Sequence, residues 1–219
     1  MLEDLCDYLS EGVNGIDVLG LGTGRTVKAI ISCLHERGSL KGKRLIVSSV
    51  DTELALTELG YFVTNLSSRP QLYIDGFDVF LEDRFALIKG GGGAMTREKV
   101  LAYNSARRIY VGDSSKARSP KSFSLPVEVL WFTLSAVLDE LKGKGFEPSV
   151  RVGQGKMGPV VSDNGNPIID ITVQRERLEE LVRLLDSIPG VVEHGYFGRE
   201  LLNEVILYDE KSFTVRRRD

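Results

Sequence analysis

The 219-residue chain predicts an α/β fold: a mostly parallel sheet with helices on both faces, followed by a smaller α+β domain. Three observations predict it. Short apolar strands alternate with helical stretches through the first half, which is the pattern of βαβ units. Polar and glycine-rich clusters stand at the carboxyl ends of those strands, where parallel sheets bind ligands. From about Leu125 the order becomes β-α-β-β-α-β, that of a small ferredoxin-like unit.

Taken in order, Gly15 to Leu21 reads as a buried strand, and Gly20-Leu-Gly-Thr-Gly-Arg-Thr26 as the tight loop after it. The next helix carries Val27, Ile30, Ile31 and Leu34 on one face, with Gly38 placed to end it. Thr23, Gly24, Arg25 and Thr26 thus sit at a helix start, where two hydroxyls and a guanidinium beside free N–H groups suit a phosphate. The competing reading is a simple helix cap with a surface arginine. A dinucleotide-binding G-x-G-x-x-G loop would need glycine where Arg25 stands, and no G-K-[ST] phosphate loop occurs.

Arg44 to Ser49 is a second apolar run, and Asp51 to Leu59 a helix closed by Gly60. Tyr61 to Leu66 reads as a further strand, as does Gln71 to Ile74, which runs into Asp75-Gly76-Phe77-Asp78. Two carboxylates three residues apart at a strand end suit sugar hydroxyls or proton relay. An Asp-Gly hairpin turn is the commoner meaning of that dipeptide.

The stretch Phe85 to Lys99 carries the most chemistry. Phe85 to Lys89 is a strand, Gly90 to Gly93 are four consecutive glycines, and a helix then runs to about Arg107. Four glycines cost backbone entropy that an ordinary connection need not lose. In return, backbone N–H groups of Gly90, Gly91 and Gly92 can approach a ligand at the positive end of a helix. Lys89 before the loop and Glu98 after it add a cation and a carboxylate. A flexible linker would have polar flanks, not Ala86-Leu-Ile88 and a helix start.

Arg108 to Gly112 is again a strand, ending at Asp113-Ser-Ser-Lys116. In the second half, Leu125 to Leu130 is extended, Trp131 to Leu141 helical, and Ser149 to Val152 and Pro159 to Ser162 extended. The Asp163-Asn-Gly-Asn166 turn leads into a strand over Pro167 to Val173. A charged helix with Leu178, Leu181, Val182 and Leu185 on one side follows, then Val191 to Phe197. Glu204 to Tyr208 and Phe213 to Val215 form a last strand pair. The expected division is residues 1–124 with 201–219 as the large domain and 125–200 as the small one.

Composition excludes several classes. A hydrophobic fraction of 42% and a charged fraction of 27% describe a globular protein. Net charge is −3 with scattered basic residues, so nucleic acid is not an expected partner. No apolar run approaches membrane-spanning length, and the acidic start Met1-Leu-Glu-Asp4 is not expected to be a signal peptide. Cys6 and Cys33 fit no metal or redox spacing and point to a reducing cytosol. With His35 and His194 as the only histidines, a histidine-rich metal site is excluded.

In this order the chain carries Gly20-Leu-Gly-Thr-Gly-Arg-Thr26, Tyr73-Ile-Asp-Gly-Phe-Asp78, Leu87-Ile-Lys-Gly-Gly-Gly-Gly-Ala-Met-Thr-Arg-Glu-Lys99 and Asp113-Ser-Ser-Lys116. Leu125-Pro-Val-Glu-Val129, Ser162-Asp-Asn-Gly-Asn166 and Pro189-Gly-Val-Val-Glu-His-Gly-Tyr-Phe197 follow. Together they resemble ribose-5-phosphate isomerase, type A. The resemblance implies a Rossmann-like large domain, a cytoplasmic homodimer or homotetramer, and no metal or organic cofactor. It implies interconversion of ribose 5-phosphate and ribulose 5-phosphate, in the non-oxidative branch of the pentose phosphate pathway.

By position, the resemblance makes Glu98 the base, and Lys89 with the glycine amides the oxyanion stabilisers. It makes Asp75 and Asp78, flanking Gly76, the pair that handles sugar hydroxyls and ring opening. Thr23 and Thr26 fall in the phosphate loop, and Asp113 with Lys116 forms a further site pair. The chain departs from the family's pattern in three places. Arg25 replaces a usual serine, and Phe77 and Val79 stand where the family has D-G-A-D-E. A phosphate-binding lysine near the family's N-terminus has no counterpart in Met1 to Leu9. A non-catalytic sugar-phosphate sensor on the same fold is the alternative, although a sensor has no need of Glu98. A coenzyme A transferase-like enzyme is a third reading, by fold only.

Overall fold

The first half of the chain forms α1 (Glu3–Gly12), β1 (Val18–Leu21), α2 (Arg25–Glu36), β2 (Arg44–Val47), α3 (Val50–Glu58) and β3 (Leu72–Asp75). β4 (Val79–Leu81), β5 (Ala86–Ile88), α4 (Met95–Asn104) and β6 (Arg107–Asp113) follow. The second half supplies β7 (Ser122–Val129), α5 (Leu134–Gly143), β8 (Glu147–Val150), β9 (Ile168–Gln174) and α6 (Leu178–Ser187). It ends with β10 (Val191–His194), β11 (Tyr196–Phe197), β12 (Glu204–Tyr208) and β13 (Phe213–Arg217). The computed structural model describes residues 2–117, 120–155 and 157–218; Met1 and Asp219, the outer limits of the expected large domain, lie outside the described residues.

Six strands form the main sheet, in the order β13-β12-β6-β3-β1-β2. Every neighbouring pair is parallel except β12 with β13. Alternation along each strand sends side chains to both faces. Leu19, Leu21, Ile74 and Val111 pack with Leu9 of α1, Ile30 and Leu34 of α2 and Leu56 of α3. Val18, Tyr73, Tyr110 and Val205 pack on the other face with Leu101 and Ala102 of α4. From β1 the chain goes to β2 on one side and then to β3 on the other. The strand order therefore reverses between β1 and β3, and such a reversal opens a crevice at the strands' carboxyl ends.

A second sheet, β10-β7-β9-β8, is wholly antiparallel. Leu125, Val127 and Val129 of β7 and Ile169, Ile171 and Val173 of β9 share a core with Val137 and Leu141 of α5 and Leu181 and Leu185 of α6. This is the smaller ferredoxin-like unit. A third, three-stranded sheet, β11-β5-β4, joins the two bodies. Phe80, Leu87 and Phe197 belong to the core against the main sheet, whereas Leu81 and Ile88 belong to the core of the second. The period of two along a strand lets one short ribbon serve both.

Three local expectations change. Tyr61 to Leu66 is not a strand: Val63 makes a single bridge to Leu45, and Ser67 N–H then turns back to Asn65. Pro159 to Ser162 likewise makes only isolated bridges. The third change concerns Cys6 of α1 and Cys33 of α2, which form a disulfide with Cα atoms 5.8 Å apart. Their count and spacing therefore do not argue for a reducing compartment, because the packing of two helices, not sequence distance, brings them together. Closing a loop over 27 residues of sequence restricts the unfolded chain. The loop-entropy relation gives about 3–4 kcal/mol for that length, so a Cys6→Ser, Cys33→Ser variant is expected to melt roughly 6–16 °C lower. A melting temperature unchanged by the double substitution would show that the bond adds nothing.

Candidate active site

The carboxyl ends of the strands converge on one cleft of about 630 Å3. It is lined by Thr23, Gly24, Arg25 and Thr26 after β1, by Gly76 and Asp78 after β3, and by Lys89 and Gly90 to Gly92 after β5. Glu98 enters from α4, and Asp113 and Lys116 from the end of β6. Every site residue expected from the sequence is therefore brought to one place except Asp75, which does not line the cleft.

Asp75 is the correction. It is 0% exposed, and both of its oxygens are occupied from within the protein. Oδ1 accepts from the Thr23 N–H (3.1 Å) and the Gly76 N–H (2.7 Å). Oδ2 accepts from the buried Tyr73 hydroxyl and lies 2.8 Å from Lys89 Nζ. Gly22 covers it so closely that a Cβ there would stand 1.8 Å from Oδ1. A carboxylate enclosed by four donors has no face left for a sugar hydroxyl. It anchors the site from behind.

Lys89 stands between Asp75 and Glu98. Its Nζ donates to the Gly76 carbonyl (2.6 Å) and lies 3.3 Å from Glu98 Oε2. The rings of Phe197 and Tyr110 face the ammonium at 5.6 and 5.9 Å, a favourable cation–π setting. Burial alone would lower the Lys89 pKa, but the Asp75 and Glu98 carboxylates outweigh it and hold it above the ordinary lysine value. The ammonium is thus kept charged.

Glu98 is 4% exposed. Its Oε2 has no hydrogen-bond partner, since Lys89 is within ion-pair distance but not in hydrogen-bond geometry. Burial raises its pKa, Asp75 raises it further, and Lys89 lowers it, leaving Glu98 pushed up to about 8. One ammonium faces two carboxylates, and Asp75 is the nearer. A buried carboxylate with a free oxygen and a pKa near neutrality is equipped to accept a proton from a ligand.

Asp78 is exposed to the cleft and accepts from the Gly91 N–H (2.8 Å). The Gly93 N–H goes to the Gly90 carbonyl (3.0 Å). These two loop amides are thus committed inside the protein.

The far end of the cleft is cationic. α2 begins at Arg25 with Gly24 as N-cap and no side-chain cap bond, so its first-turn amides are open. Arg25 is exposed, and its charge, after the effect of burial, helps to lower the pKa of Lys116. Lys116 Nζ donates to the Phe77 carbonyl (2.6 Å) and stands 5.6 Å over the Phe77 ring. The Thr23 hydroxyl shares a hydrogen bond with Ser48 (2.7 Å), and Asp113 accepts from the Ser115 N–H (2.8 Å).

Sequence reasoning missed Ala29, Tyr208 and the orienting Tyr73. Tyr208 ends β12 and lines the cleft, but no sequence signal places that strand end beside β6. Tyr73 carried a signal: it is two residues before Asp75, hence on the same face of β3. Among the described residues no three His, Cys, Asp or Glu side chains converge as a metal site, and no helix is long and apolar enough to cross a membrane.

Comparison with known proteins agrees with this arrangement. Residues 44–212 match the family model described as Ribose 5-phosphate isomerase A (phosphoriboisomerase A). The chain is 38% identical over 201 residues to Ribose-5-phosphate isomerase A of Archaeoglobus fulgidus, covering 89% of each chain. The solved ribose 5-phosphate isomerase A of Methanocaldococcus jannaschii superposes with a TM-score of 0.85 at 31% identity over 99% of both chains. A D-ribose-5-phosphate isomerase solved in complex with phospho-erythronic acid also gives 0.85, at 27% identity over the whole of both chains.

Proposed function

The chain belongs to the ribose 5-phosphate isomerase A family of aldose–ketose isomerases, and from that premise we propose that it interconverts ribose 5-phosphate and ribulose 5-phosphate through an enediolate with Glu98 as base. The observation that carries the proposal is the buried, unbonded Glu98 oxygen 3.3 Å from the Lys89 ammonium on the wall of the cleft. In the aldose, Glu98 takes the C2 proton. The electron pair moves into the C1–C2 bond, and the carbonyl π electrons move onto O1. Lys89 stabilises that oxygen as it becomes negative, the service that fixed donors render most strongly in a dry site. Glu98 then returns the proton to C1 while the C2 hydroxyl proton is transferred to O1. Asp78, exposed to the cleft, is the group available to hold sugar hydroxyls and pass protons during ring opening.

The open amides of α2, Arg25 and Lys116 form the phosphate end, with Thr23 and Thr26 beside it. Assembly into a homodimer or homotetramer and a cytoplasmic location are proposed with this function, on the family alone.

A coupled assay of ribulose 5-phosphate formation tests the proposal. Turnover is expected to persist in a metal chelator, because Lys89 supplies the positive charge. Loss in chelator with recovery on adding a divalent ion would overturn that role.

Glu98→Gln keeps the shape and removes the base, so kcat is expected to fall by about 10²–10⁴-fold with much less change in KM. A base acts only when deprotonated. With Glu98 near pKa 8, wild-type kcat/KM is expected to rise about tenfold per unit below that pH and level above it. Near-normal turnover in Glu98→Gln, or a flat profile from about pH 6 to 9, would assign the base elsewhere.

Arg25→Ser removes a cation that can bond two phosphate oxygens. Hydrogen bonds to charged groups contribute roughly 1.5–3 kcal/mol, so kcat/KM should drop by about 10–150-fold for ribose 5-phosphate and far less for ribose. Equal losses on both sugars would remove Arg25 from the phosphate end.

A further inference from the structure

The tetraglycine loop is held from outside the main sheet by Arg151, which follows β8. Its Nη1 donates to the carbonyl oxygens of Gly90 (2.8 Å) and Gly91 (3.2 Å). Its Nε and Nη2 bind Asp170 of β9 in a fork, and the two side chains are only 16% and 25% exposed. The backbone is fixed as well: Arg151 N–H donates to Ile168 (2.8 Å), and its carbonyl accepts from Val160 N–H (2.8 Å). The guanidinium therefore has little freedom.

The loop needs such a hold. Gly90 has φ +101°, and a Cβ there would stand 3.0 Å from Met95 Cβ and 3.2 Å from Pro126. Only glycine fits, and glycine by itself holds no conformation. Each peptide unit is planar and trans, so its C=O and N–H point in opposite directions. The Gly90 carbonyl shares a plane with the Gly91 N–H, and the Gly91 carbonyl shares one with the Gly92 N–H. Gripping both carbonyls turns both amides away from Arg151. The first of them meets Asp78, and Gly92 lines the cleft.

We infer that Arg151, held by Asp170, is a positioning residue that sets the peptide planes of the tetraglycine loop and so keeps the Gly91 amide on Asp78 and the Gly92 amide turned toward the cleft. The catalytic consequence rests on the isomerase reading; the hold on the loop does not.

Two readouts test it on full-length Arg151→Ala and Arg151→Lys proteins. Residue-resolved amide exchange by NMR is expected to speed up at least about tenfold at Gly91 and Gly93 in Arg151→Ala, while β7 and β9 stay protected. Kcat for ribose 5-phosphate is expected to fall by about 10–150-fold, the worth of hydrogen bonds to a charged group, with little change in KM. Millimolar guanidinium should restore part of the kcat of Arg151→Ala. Arg151→Lys, which keeps the charge but not the fork, should lie between wild type and alanine.

A lower melting temperature with unchanged loop exchange and unchanged kcat would make Arg151 a structural residue of the second sheet and overturn the inference. If Arg151→Ala does not fold, the same two readouts on Arg151→Lys decide. If the wild type fails to isomerise ribose 5-phosphate, the functional reading falls, and loop exchange alone still accepts or rejects the hold by Arg151.

Discussion

The ammonium of Lys89, buried between Asp75 and Glu98, is the interaction on which the rest of the site depends. A lone charge in that position would be strongly disfavoured, and one carboxylate suffices to neutralise it. Asp75 is that carboxylate, fixed by Tyr73, Thr23 and Gly76. Glu98 is then the surplus acid, adjacent to the cation but second in line for it, with its proton affinity raised. The unequal distances, 2.8 and 3.3 Å, divide the labour: one carboxylate holds the cation, and the other can exchange protons beside it.

That arrangement requires three separate chain segments to meet within a few ångströms, and the second sheet supplies the frame. The Lys89 N–H donates to the Gly195 carbonyl, and the Gly195 N–H donates to Pro126 on β7. Around Glu98, the first turns of α4 are pinned outward. Thr96 donates to the buried Glu128 of β7, Arg97 to Asn164, and Lys99 to Glu193 of β10. Asn164 and Asn166 donate to that same Glu128. With the neighbours of Glu98 committed to the second sheet, the helix cannot rotate without breaking charged hydrogen bonds, each of which contributes about 1.5–3 kcal/mol. Glu98 is thus held at the cleft of one body of the protein by contacts from the other.

What was legible in the sequence follows the same division. Lys89, the glycines and Glu98 lie within ten residues of one another, and four glycines between a strand and a helix are conspicuous because they are costly. The β-α-β-β-α-β order was readable because its strands and helices are amphipathic in themselves. Asp75 was misread because a strand-end carboxylate looks the same whether it faces the cleft or the core. The alternation that places it on the Tyr73 face was the signal that could have separated the two. Arg151 carried no signal at all: its partners on the loop are 60 and 61 residues away, and only the joining of the two sheets brings them together. The same holds for Cys6 and Cys33, since no reading of Met1 to Asn14 anticipated a helix there.

The departures around the cationic end of the cleft also acquire a physical account. Phe77 does not block the cleft, because it is buried against Gly112, where any side chain would collide with its ring. Its backbone carbonyl and ring instead hold Lys116, half-buried, at the mouth. Burial depresses the pKa of that lysine, Asp78 opposes the shift, and Arg25 and Lys89 add to it. Two cations that repel each other beside the uncapped start of α2 form a site in which an anion relieves strain of three kinds: the mutual repulsion, the desolvation of Lys116 and the open helix amides. A dianionic phosphate answers all three at once. Arg25 thus adds positive charge at the helix start that lines this end of the cleft.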